Sequence, residues 1–162
     1  MGYFVRAFCT TGEAPAISRV LDFATKLGST VRLDPDVTAL DLADPTWDQV
    51  GVLYKDGKLP ILVEVDRDGS GDNDDSLLKE EIEEFLEFVA EAPDNASRRK
   101  VEAHLRATKF IVAAQLATSD IDDDGYNALG NLLGYFVERN GGLIQADGEG
   151  FYEGETLIVA LR

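Results

Sequence analysis

The chain has 162 residues, with 31 Asp and Glu against 15 Lys and Arg, a formal charge of -16 and a pI near 4.3. That length fits one domain or two very small ones, and 44% hydrophobic residues exclude wholesale disorder. The acidic surplus argues against nucleic acid and anionic membranes as partners, because a polyanion is repelled by a negative field.

Cys9 is the single cysteine, which excludes an intramolecular disulfide and a thiolate zinc cluster. The first residues do not read as a signal peptide, and no run approaches the ~18 apolar residues of a bilayer span. The default expectation is a soluble, cytoplasmic protein.

In chain order, YFVRAFC (3–9) reads as a strand, and Ile17, Val20, Leu21, Ala24 and Leu27 recur at helical spacing before Gly28 as a stop. Val31–Leu33 is β-like, and an acidic connection covers 34–48. VGVLYK and KLPILVEV, separated by Asp56-Gly57, predict a β-hairpin with a two-residue turn. Pro60, lacking an amide donor, belongs at an edge or off the ladder.

The segment 66–75 is a polar loop. A helix follows with Leu78, Ile82, Phe85, Leu86 and Val89 on one face and glutamates on the other, ended by Pro93. A shorter basic helix spans 97–108. Residues 109–117 then predict a strand, 126–139 a helix, and 142–162 two or three strands.

The last third follows the plan of the first. Leu27–Asp34 aligns with Asn140–Asp147, and Tyr54–Leu59 with Tyr152–Leu157. The expectation is a single α+β domain with a mainly antiparallel sheet and helices on one face. Its two related halves, 1–66 and 109–162, resemble ferredoxin-like half-units and are joined by a helical connector, 75–108.

For chemistry, Asp66, Asp68, Ser70 and Asp72 place oxygen ligands at alternate positions around Gly71, the pattern of a calcium loop. The twelfth position is Leu77, where such a loop supplies a bidentate Glu. A second acidic loop offers Asp120, Asp122 and Asp124. Both loops precede helices, where Asp side chains also cap free amides. No cofactor is required by the sequence, and Ca²⁺ is the candidate ion.

The same ILVEV-Asp66-Arg67-Asp68-Gly69-Ser70 resembles the nucleophile motif of haloacid-dehalogenase-type phosphatases. That resemblance implies Mg²⁺-dependent phosphate-ester hydrolysis with Asp66 and Asp68. Those enzymes place the motif on a central parallel strand, whereas this strand closes a hairpin.

His104 reads as a boundary residue on the basic helix, and Cys9 as a small buried hydrophobe. Trp47, Tyr54, Phe151 and Tyr152 are candidate lining for a pocket near the two hairpins. Charge is unevenly placed. Residues 64–94 hold 13 acids and 2 bases, and residues 95–109 hold 1 acid and 5 bases.

Glu80, Glu84 and Glu87 therefore form the candidate interaction face. With no catalytic constellation in view, the sequence reads best as a non-enzymatic protein-binding module. Its partner would be another protein or a second copy in a homodimer.

Overall fold

A computed structural model describes residues 2–35, 45–67 and 77–161. The chain follows the order β1 (Gly2–Cys9), α1 (Ile17–Lys26), β2 (Arg32–Leu33), β3 (Gln49–Leu53), β4 (Ile61–Arg67), α2 (Leu77–Ala90) and α3 (Ala96–Arg106). It continues with β5 (Phe110–Ala117), α4 (Asp123–Asn140), β6 (Leu143–Ala146), β7 (Gly150–Glu153) and β8 (Thr156–Ala160). All described strands join one sheet in the order β2-β3-β4-β5-β1-β6-β7-β8, and every neighbouring pair is antiparallel.

The α+β class and the large antiparallel sheet agree with the sequence. The expectation of helices on one face does not. Val5, Ala7 and Cys9 of β1 pack with α1 and α4, through Ile17, Val20, Leu129 and Phe136 among others. Phe8, between Ala7 and Cys9, points the other way and packs with Phe85 and Val89 of α2 and Val101 and Leu105 of α3. Side chains alternate across a strand, so the sheet is buried on both faces and the molecule has three layers.

The two halves also occupy different places in the sheet. β5 and β6 are parallel, with β1 between them and α4 as the crossover, a split βαβ unit. β6 pairs with central β1, whereas β2, which the sequence aligned with it, lies at the outer edge.

Local chemistry sets the element ends. Gly28 at φ +103° closes α1, with its N–H donating to Thr25 O and the Ser29 N–H to Ala24 O at 3.1 Å. Asn95 Oδ1 accepts from the Arg98 N–H to start α3, and Asp122 Oδ1 accepts from the Gly125 N–H to start α4. That cap begins α4 three residues earlier than apolar spacing predicts. Gly141, left-handed at φ 61°, ends it.

The predicted hairpin is present, with Val52 opposite Ile61, but its connection is longer than two residues. A turn at Asp56-Gly57 closes with Lys58 N–H to Lys55 O, and Gly57 alone takes positive φ. Tyr54 leaves the ladder for the core, and the Leu59 N–H donates to Asp120 Oδ2 at 2.7 Å. Pro60 precedes β4, off the ladder.

Candidate functional site

Reading across the sheet on its α2 side, Glu64 of β4, Ala113 of β5, Arg6 of β1 and Gln145 of β6 stand in one register row. Of these four, Glu64, Arg6 and Gln145 line the space between sheet and helix. α2 spans that space with Glu80, Glu81, Glu84, Phe85 and Phe88, and the result is an open groove of about 530 Å³.

Arg6 occupies its floor. Its Nε donates to Glu81 Oε1 at 3.0 Å, and its Nη1 donates to Gln145 Oε1 at 2.8 Å and Asp147 Oδ1 at 2.7 Å. The guanidinium carbon lies 5.1 Å from the Phe4 ring centre and 5.2 Å from that of Phe85. One side chain thus ties α2 to two strands through charge, hydrogen bonds and ring faces.

Among the described residues, the carboxyl groups Glu64, Asp66, Glu80, Glu81, Glu84 and Asp147 line the groove with Arg6 as the one cation of its lining. Burial pushes Glu81 up to about 7, with the neighbouring Asp66 adding to the rise and Arg6 opposing it. Glu64 is raised for the same two reasons, burial first and Asp66 second. Crowded, partly dehydrated carboxylates make a site where an incoming cation gains more than it does at an open surface.

Of the residues singled out in the sequence, Asp66, Glu80 and Glu84 meet at this groove. Glu87 is exposed on α2. Asp68, Ser70 and Asp72 lie outside the described residues. Asp66 closes a strand flanked antiparallel on both sides, unlike the parallel strand of the haloacid-dehalogenase-type phosphatases. Among the described residues, no group of three His, Cys, Asp or Glu side chains is arranged to hold a metal ion.

The second acidic loop is engaged by its own protein. Lys55 Nζ donates to Asp122 and Asp124 at 3.0 Å each, Asp120 accepts from the Leu59 N–H, and the Asp120 carbonyl accepts from Lys58 Nζ. Lys55 and the Gly125 N–H hold the Asp122 carboxyl below its ordinary range.

The four aromatic residues do not converge. Trp47 is buried and donates to Pro15 O at 2.8 Å, and Tyr54 abuts Gly125 at the start of α4, both on the α1/α4 side. Phe151 is fully buried on the opposite face, and the Tyr152 hydroxyl donates to Glu149. His104 Nε2 lies 2.7 Å from the Phe8 carbonyl, and burial pushes the Cys9 thiol up. Both are structural placements.

Arg6, Glu64, Glu81, Gln145 and Asp147 were not singled out from the sequence. The available signal was Arg6 and Gln145, polar residues set inside the apolar strands YFVRAFC and LIQA. Among the described residues no helix is long and apolar enough to cross a membrane. Compared with protein-family models, curated proteins and solved structures, the chain matches none.

Proposed function

We propose that this protein is a non-enzymatic binding module that takes a basic segment of a partner protein into the groove between α2 and the sheet. The observation that carries this reading is that, among the described lining residues, six carboxyl groups surround one guanidinium already engaged by Glu81, Gln145 and Asp147. Carboxyl groups outnumber the guanidinium among the described lining residues, and such a negative field speeds encounter with a cationic partner and disfavours acidic ones.

Phe88 stands 41% exposed at the groove wall and offers a ring face to an incoming Lys or Arg. The groove is open, which suits a side chain of an extended segment better than an enclosed small molecule.

The test is affinity capture from a lysate at low salt, followed by identification of the bound proteins. The wild-type chain retains a set of proteins with basic segments, and the double variant Glu80→Lys/Glu84→Lys loses them. Equal capture by the two chains removes the reading. Binding should also weaken as salt screens the groove, over a Debye length of about 8 Å at physiological ionic strength.

A further inference from the structure

We propose that the α2 wall of the groove is a seat for one arginine side chain of the partner protein, gripped between the Glu84 carboxylate and the Phe88 ring. This rests on the groove reading above and narrows its occupant from any basic segment to one that presents arginine. The pattern comes from α2 itself. Glu81 and Phe85, four residues apart and so on one helical face, grip Arg6: the carboxylate accepts from Nε at 3.0 Å, and the ring centre lies 5.2 Å from the guanidinium carbon. Glu84 and Phe88 repeat that pair three residues further along the helix, and both line the groove.

The second pair differs from the first in being open. Phe88 is 41% exposed where Phe85 is 6%, and the two rings stand edge-to-face with 5.7 Å between their centres. Glu84 is exposed, and among the described residues it enters no ion pair, whereas Glu81 is spent on Arg6. Glu80, one turn back on the same wall, adds a second acceptor. A guanidinium placed there meets a ring and two carboxylates, the same kinds of partner that hold Arg6.

Arginine suits this seat better than lysine for reasons of shape and hydration. A planar guanidinium stacks on a ring while its fork donates to a neighbouring carboxylate, and it gives up water more readily than an ammonium does. Arg6 uses its plane in this way, against the rings of Phe4 and Phe85 with donors to Glu81, Gln145 and Asp147. The occupant belongs to a protein of opposite charge, since a second copy would bring its own -16 to an acidic groove.

Fluorescence anisotropy at low salt tests this with two labelled peptides of one sequence, every cation being Arg in the first and Lys in the second, each titrated with the full chain. The wild-type chain should bind the arginine peptide about tenfold more tightly, as a ring contact and a forked ion pair together imply. Phe88→Leu and Glu84→Gln should each draw that ratio toward one with an unchanged circular dichroism spectrum. Glu91→Gln, an equal loss of charge at an exposed position beyond α2, should keep it. Equal affinity of the wild type for both peptides, or a ratio that survives both groove substitutions, overturns the inference and leaves the groove reading in place. Binding of neither peptide overturns both.

Discussion

A guanidinium in a central strand is stabilising only when its donors find acceptors, because an unmet buried charge costs several kcal/mol. Arg6 finds three acceptors and two ring faces. Glu81 is the titratable end of this arrangement. Its folded value, raised from 4.5 to about 7, means that the folded chain binds more protons than the unfolded chain between those limits. The stability this proton confers is fully present below the unfolded value and is lost as pH rises through about 7. Urea unfolding between about pH 5 and pH 8 should therefore show wild-type stability declining with pH. Glu81→Gln keeps an oxygen for the Arg6 Nε–H and should flatten that decline, and a variant as steep as the wild type contradicts the assignment. At this scale the sequence displayed Arg6 as a charge among apolar neighbours. Its acceptors were hidden, because Glu81 and Asp147 are 75 and 141 positions away and only the sheet order unites them.

At the scale of elements, most strands and helices were readable because their apolar periods are clean, as in Ile17, Val20, Leu21 and Ala24 of α1. The three-layer arrangement had a signal too. FIVAA of β5 is apolar at consecutive positions, the pattern of a strand buried on both faces, and Ile111 and Val112 do face opposite cores. The split of the two halves was not readable, since strand order depends on which long-range pairings close rather than on local pattern. The acidic loop before α4 illustrates two chemistries with one signature. Asp residues at alternate positions suit an ion or a helix start, and Lys55, Lys58 and the Gly125 N–H take the acceptors for the second use. Asp122→Ala should lower the midpoint of thermal unfolding through loss of the cap, and an unchanged midpoint contradicts that role. Millimolar Ca²⁺ should leave the midpoint of thermal unfolding of a variant lacking Asp66 and Asp68 unchanged. A calcium-dependent rise in that variant would assign the ion to this second loop.

For the whole molecule, the charge of -16 has a location. Its densest stretch, 64–94, folds so that Glu64, Asp66, Glu80, Glu81 and Glu84 face one another across a groove, while the basic α3 packs beside α2. The uneven distribution was visible in the chain. Its concavity was not, because the acidic stretch meets Arg6, Gln145 and Asp147 only through long-range strand pairing and the seating of α2 on the sheet. The central claim is that this groove receives a cationic segment. The most direct measurement is a ¹⁵N–¹H correlation titration with a Lys/Arg-rich peptide, using an acidic peptide of equal length as the control. The account predicts saturable shifts confined to Arg6, Glu64, Asp147 and the 80–88 stretch of α2 with the basic peptide alone. Shifts spread over the surface, or absent from the groove at saturating peptide, would contradict it.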